Sequence, residues 1–479
     1  MTDHTDKECT ESLFIRRIRN IREIRVVCSR RQRSSSASHL MILRRCSPCL
    51  RFTGPMSELA VGQLILFVLI ILASAHLFGS LFARLRQPRV IGEILGGLLV
   101  GPSLLKLQAG TNSALSRPAL DVLYWIGLLM LMFLSGAETQ GLFRREERRP
   151  VAWIGIVGTG LPFIIALLLS LRLKLDSLMG TAQNRFALVL VIGIGTAVTS
   201  IPVISRIFHD LHILHTRFAK LILGVAVMED VVLWAVLAIA TALAESKALP
   251  THVIVQRVTL TLLYFAAGLV LFPRLARRLH TARWNIFAQH STTAYLILLL
   301  FAYVALAAAM NVSLVLAAFL AGFAVPSNSL RMTQSLGEVK GVAFGCFIPL
   351  YFALVGYKLD LGKTFNLTMV AGFLVAACAI KLISVLAGAK LAGFSIPSCL
   401  NLAIATNARG GPGIVLASVA YDAGIINAPF YTTLILLAVI TSQAAGAWLE
   451  HVLRQGKPLL TESAEEDVVK VAQPDVLAA

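Results

Sequence analysis

Glu229 and Asp230 stand side by side in VMEDVVLW (227–234), inside an otherwise apolar run from Leu221 to Leu243. A carboxylate in apolar surroundings does not stay bare: it takes a proton, a cation or a basic partner. Two such partners exist deep in other apolar runs: Lys381, in ACAIKLISV, and Arg409, in TNARGGPG. Glu93 and Glu138 are the other charges placed deep in such runs. Neighbouring residues on a helix point about 100° apart, so Glu229 and Asp230 cannot face the same way. One can pair with a basic side chain while the other faces a cavity that a proton or mobile cation could reach. The blander reading, two acids that only neutralise Lys381 and Arg409, stays open at this point.

The rest of the chain says what must position these charges. Of its 479 residues, 57% are hydrophobic and only 14% charged, with a mean hydropathy of +0.77. A soluble globular chain is roughly half apolar and about a quarter charged. Apolar runs of about 20 residues, long enough to cross a bilayer as helices, recur from Leu59 to Val452. The expected fold class is an all-α polytopic membrane protein, with the lipid bilayer as its main partner. The net charge of +18 does not point to nucleic acid, because the basic residues sit in short loops and in one N-terminal tail.

Thirteen spans are predicted, at 58–82, 89–107, 119–139, 150–171, 185–207, 217–244, 252–273, 291–309, 311–325, 340–357, 367–392, 397–420 and 428–452. Lys and Arg collect on the cytoplasmic side. Loops after odd-numbered spans, with the tail after the last as far as Lys457, hold nineteen of them, and loops after even-numbered spans hold nine. The C-terminus is therefore expected in the cytoplasm and Met56 outside. Residues 1–55 carry 12 of the 43 Lys and Arg residues and read as a basic disordered tail or a misassigned start, with FIRRIRNIREIRVV spaced like a membrane-surface helix or a transit peptide. Residues 56–455 form the membrane domain. Residues 456–479 form a short cytoplasmic tail, too small for a nucleotide-binding domain.

Two spans carry helix breakers at mid-membrane. The fifth, IGIGTAVTSIPVISRIF, places Gly193, Gly195 and Pro202 around Thr196, Thr199 and Ser200; the twelfth places Gly410, Gly411, Pro412 and Gly413 after Asn407 and Arg409. Proline removes a donor and clashes with the preceding turn. Broken backbone at membrane depth survives only where it is buried in protein or lines a watery cavity. The two breaks lie seven spans apart, which implies opposite orientations. Matched broken helices in inverted halves are the pattern of a transporter's binding site, with half-helix ends that call for fixed charges to balance them.

The chain resembles bacterial monovalent cation/proton antiporters of the second cation/proton antiporter family, a Kef-type membrane domain without the nucleotide-binding regulatory domain. The resemblance runs from about Met56 to Arg454. It rests on QPRVIGEILGGLLVGPSLL (87–105), FLSGAE (133–138), TAVTSIPV (196–203), VMEDVVLW, AAFLAGFAVP (317–326), LVGYKLDL (354–361), the Lys381 region and NARGGPGIVLASVAYDAGIIN (407–427). Each stretch is weak alone; their order and spacing carry the case. The family implies the Na+/H+ antiporter fold, with inverted repeats, a dimerisation or scaffold domain and a six-helix core that shifts across the membrane. It implies exchange of a monovalent cation, Na+ favoured and K+ possible, for protons, in a likeness that also brings a homodimer and a bacterial inner membrane. Matched position by position, Asp230 corresponds to the essential ion-binding aspartate, and Glu229 to a position that is Asp in electrogenic members and Asn in electroneutral ones. Lys381 corresponds to the lysine that pairs with that acid, Thr199 and Ser200 to polar residues of the unwound helix, Arg409 to an arginine of the second broken helix and Glu138 to a recurring acid. Thr196 and Asn407, beside the breaks, are further candidates. Glutamate rather than aspartate at 229 is a departure that keeps the charge, and an acid there suggests two protons per cation.

Other constellations offer less. His209, His212 and His215 in HDLHILH share a face only in part and lack further ligands; a plain loop or a pH-responsive one fits them better than a metal. Cys46 and Cys49 form a lone CxxC. The chain has no Walker, GxSxG or HExxH motif, so neither an enzyme nor a cofactor is expected. A K+ channel or uniporter is the alternative on the same scaffold, but it lacks a TVGYG-like filter. An organic-anion symporter could use Arg409 and Lys381, against which the paired acids argue. A regulatory or scaffold membrane protein is the third alternative, and its intramembrane charges would be replaceable by apolar residues.

Overall fold

The computed structural model describes residues 58–84, 88–101, 116–139, 148–173, 175–245, 251–282, 285, 287, 290–325 and 330–461. These all fall within one unit, Ser57–Ala479. Residues 1–55, with the CxxC and the basic amphipathic stretch, and most of the expected C-terminal tail lie outside the described residues.

The helices are α1 (Glu58–Arg84), α2 (Arg89–Val100), α3 (Ser116–Thr139), α4 (Arg148–Arg172), α5 (Arg185–Ala197), α6 (Ile201–Asp210), α7 (Arg217–Ala244), α8 (Thr251–Thr281), α9 (Thr292–Ala309), α10 (Leu314–Phe323), α11 (Leu330–Val342), α12 (Ile348–Tyr357), α13 (Leu367–Leu391), α14 (Ile396–Ala405), α15 (Gly410–Asp422) and α16 (Ala428–Arg454). A π-helical stretch, Ala343–Phe347, joins α11 to α12. Many starts are written in the sequence as polar caps. Asn184, Ser200, Thr216, Ser291, Asn366 and Asn427 each accept a backbone N–H from the first turn of the helix that follows, which satisfies donors that have no partner inside the helix.

Among the described residues, ten helices are long and apolar enough to cross a membrane. The expected second, ninth and twelfth spans fall on shorter helices: α2 has 12 residues, α10 has 10, and the twelfth is divided into α14 and α15. At 1.5 Å per residue, α2 is about 18 Å long, less than the ~30 Å hydrocarbon core. Two boundaries differ from expectation. The tenth span begins at Leu330 rather than 340, so Lys340, expected in a loop, lies on a helix. The seventh continues to Thr281, because its basic last turns extend past the apolar stretch.

The helices pack as two groups. In the first, α2 lies against α1 and α12, α3 against α10 and α12, and α10 against α8 and α9. In the second, α4 packs on α5, α7 and α13, while α13, α14 and α15 pack on one another or on α16. The second group repeats one pattern twice: a long helix (α4, α13), a broken pair (α5–α6, α14–α15), then a long helix (α7, α16).

Glycines let helices of the first group touch. A Cβ at Gly97 would overlap the Ala353 carbonyl, and one at Gly356 would overlap that of Ile94; Gly136 and Gly322 stand in the same reciprocal relation to Phe319 and Phe133. Close approach through small residues drives helix association where lipid gives no hydrophobic incentive. Gly322→Ala should therefore lower the thermal unfolding midpoint in detergent by an amount equivalent to about 1–3 kcal/mol. Gly62→Ala, where an added Cβ meets nothing within 4 Å, should leave it unchanged.

Candidate charged site at the helix crossing

The two broken helices meet at their breaks. α5 ends at Ala197, Val198 is extended (φ −66°, ψ 139°), and Ser200 caps α6. Pro202 sits in the first turn of α6, where a missing N–H costs nothing. The proline thus starts a new half-helix instead of kinking a continuous one. In the partner, α14 ends at Ala405 and α15 starts at Gly410. Gly410 has φ +35°, and a Cβ there would lie 2.6 Å from Ser200 Oγ and still closer to Val203. Only glycine suits both that backbone and that approach. The breaks are tied directly: Ser200 N donates to Ala408 O at 2.7 Å, and Thr199 Oγ1 donates to Thr406 O at 2.6 Å.

Both basic residues serve the end of α5. Lys381 Nζ donates to Ala197 O (2.5 Å), Gly158 O (3.2 Å) and Glu229 Oε1 (2.6 Å). Arg409 donates through Nε to Gly195 O (2.9 Å) and through Nη2 to Thr196 O (3.1 Å) and Ala377 O (3.0 Å). Its Nη1 holds Asn407 through both the carbonyl and the side-chain oxygen. Gly195, Thr196 and Ala197 belong to the last turn of α5, whose carbonyls lack intrahelical partners and carry the negative end of the dipole. Two buried cations satisfy both needs.

α7 packs against α5, α6, α14 and α15, and its midpoint brings the acids to this crossing. Glu229 and Asp230 are both fully buried. Glu229 Oε1 accepts from Lys381 and from Thr159 Oγ1 at 3.1 Å; its Oε2 has no partner. Asp230 differs: neither carboxylate oxygen has a hydrogen-bond partner. One turn along the same face, Trp234 lines a cavity of about 580 Å³. That cavity reaches the first turns of α6 and α15, at Pro202, Val203, Gly411 and Pro412, and is bounded on the other side by α2, α3 and α11.

Of the sequence candidates, the structure gathers Glu229, Asp230, Lys381, Arg409, Thr196, Thr199, Ser200 and Asn407. Glu138 and Glu93, the other charges read as deep in apolar runs, are not among them. Glu138 stands at the end of α3, its side chain 35% exposed, paired with Lys340 at 2.6 Å; Glu93 is on α2, in the other helix group. Both instead line the cavity. The sequence reading missed Thr159, the hydroxyl that shares Glu229 with Lys381. Its one signal is a threonine between Gly158 and Gly160 in an apolar span. His209 closes α6 and His212 turns the chain with φ 58°. Among the described residues, no group of three or more His, Cys, Asp or Glu could hold a metal ion.

The family described as sodium/hydrogen exchanger, transmembrane, matches residues 69–455. The chain is 27% identical over 387 residues to the Na+/H+ antiporter NhaS4 of Synechocystis, covering 78% of this chain and 93% of that one. It is 26% identical over 397 residues to K+/H+ antiporter 1 of Saccharomyces cerevisiae, covering 78% of this chain but only 44% of that longer relative. A solved sodium proton antiporter from Methanocaldococcus jannaschii superposes with a TM-score of 0.56 at 14% identity, over 81% of this chain and 97% of that one; this shows a shared fold.

Proposed function

The chain belongs to the transmembrane sodium/hydrogen exchanger family, and from that premise we propose that it exchanges a monovalent cation for protons by alternating access. Asp230 carries the reading. A fully buried carboxylate with no partner on either oxygen is stable only when something binds it. A proton or a dehydrated cation can do so, and one excludes the other. Oxygen donors for a cation stand at the crossing, in Thr199, Ser200 and the carbonyls of the breaks; hard cations favour such ligands. If the site crosses only when occupied, uptake of one ion drives release of the other.

Lys381 and Arg409 hold the crossing together by balancing the negative end of the α5 dipole, and Glu229 balances Lys381. The channel alternative gains nothing from the family match, which is to exchangers. We place the protein in a bacterial inner membrane as a homodimer, with thirteen crossings and a cytoplasmic C-terminus on the loop bias. The cavity then opens to the cytoplasm, since it is bounded by Pro88 and Arg89 at the start of α2, Glu138 at the end of α3 and Gly337 and Lys340 in the last turns of α11.

The test is made in proteoliposomes with a preset pH gradient. Na+, K+ or Li+ is added in turn and an internal pH dye is followed. Cation-dependent collapse of the gradient is expected, with Na+ the favoured ion; no response to any cation sinks the reading. The acid at 229 further predicts two protons per cation and so net charge movement. An imposed potential is worth about 2.3 kcal/mol per charge per 100 mV, so the exchange rate should depend on its size and sign. A flat response would show electroneutral exchange.

A further inference from the structure

At the end of the molecule opposite the cavity, a three-residue contact ties the two helix groups together. Asp422 is the last residue of α15, in the group that carries the site. Its Oδ2 accepts from Tyr124 Oη at 2.9 Å, on α3. Its Oδ1 accepts from Lys358 Nζ at 3.2 Å, at the end of α12. The Lys358 ammonium also lies 3.9 Å from the Tyr124 ring centroid, so cation–π attraction closes the triangle. Nearby, Tyr431 Oη of α16 donates to Val355 O of α12 at 3.3 Å.

The placement gives this contact its meaning. Lys340 borders the cavity and Lys358 lies eighteen residues further along the same helical run, about 27 Å away at 1.5 Å per residue. α15 runs in the same sense, from Gly411 and Pro412 at the cavity to Asp422 at the far end, about 17 Å by the same rise. One face of the boundary between the helix groups is therefore open and the other is clasped. The clasp is also of a releasable kind. Lys358 and Asp422 keep 30% and 28% of their side-chain surfaces exposed, so water can replace their partners without stranding a dry charge.

We propose that Asp422, Lys358 and Tyr124 form a latch that seals Asp230 from the face opposite the cavity, and that the latch must part in every transport cycle. The inference rests on the exchange reading above: a single buried site can serve both sides of a membrane only if the boundary that is clasped here opens in turn.

Two experiments on the full chain in proteoliposomes test it. In Lys358→Cys/Asp422→Cys, a short bis-maleimide would join the positions after folding. Exchange by the untreated double variant should persist and cross-linking should lower it at least tenfold, while cation binding from the cavity side remains. Undiminished exchange after verified cross-linking overturns the latch. In the second, Ser418→Cys, buried one turn before Asp422, reports opening to an impermeant maleimide, read above the label taken up without it. Adding Lys358→Gln or Asp422→Asn should speed labelling at least tenfold; an unchanged rate overturns the proposal. Absence of exchange in the unaltered protein would instead refute the antiport reading, so the two failures are distinct.

Discussion

Asp230→Asn will reduce cation-dependent proton movement to the level of protein-free vesicles while leaving the protein folded. The substitution preserves shape and removes the only property that makes the site switch, a charge that either a proton or a cation can neutralise. Its effect on stability should be opposite to that of a structural acid. Asp230 makes no hydrogen bond or ion pair that its loss could break, so the unfolding midpoint should hold or rise. Glu229→Gln provides the contrast. Glu229 is the acidic partner of fully buried Lys381, and removing one member of a buried pair costs about 3–5 kcal/mol. The two neighbours should thus separate cleanly: one loses transport without loss of stability, the other loses stability in any case. Retained exchange in Asp230→Asn, measured with the pH dye in proteoliposomes, would remove Asp230 from the mechanism. A folded, inactive Glu229→Gln with an unchanged midpoint would reverse the two roles.

The division of labour between these acids was half legible in the sequence. Their adjacency on a helix required them to diverge, and the pattern of Gly, Pro and hydroxyl residues marked both breaks. Helix geometry alone did not say which acid would meet Lys381, because that depends on the rotation of α7 against α13, a packing outcome; only the family resemblance pointed to Glu229. It also did not separate Glu138 from the site. An acid at the end of an apolar run reads as deep in the membrane, yet its depth depends on where α3 ends relative to α11. Thr159 was invisible for a related reason: a lone hydroxyl in a span usually bonds its own helix, and only the packing of α4 on α7 brings it to Glu229. The short helices α2 and α10 show the limit of reading spans by hydropathy. They are apolar like their neighbours, but what they do is fixed by their length and by the glycine contacts that seat α2 on α12 and α10 on α3.

Arg409 is where the largest loss of stability is expected, and the reason lies in backbone accounting rather than in charge. Its guanidinium donates to the carbonyls of Gly195, Thr196, Ala377 and Asn407, and it is 1% exposed. Three of those carbonyls come from elements distant in sequence, so one side chain joins α5, α13 and the second break. Arg409→Ala leaves them buried and unpaired. Each lost partner costs about 1–3 kcal/mol, which for three such groups is a large part of the roughly 5–15 kcal/mol that holds a folded domain together. The variant should be recovered in low yield, with a markedly lower unfolding midpoint by tryptophan fluorescence in detergent. Arg409→Lys tests the geometry separately. It keeps the positive charge at the end of α5 but offers one nitrogen in place of a planar fork, so it should fall between the two. If Arg409→Lys matches the parent, charge at the helix end is what matters and the hydrogen bonds are incidental. If it is as unstable as Arg409→Ala, the fork is what joins the two broken helices, and Lys381 alone cannot hold the crossing.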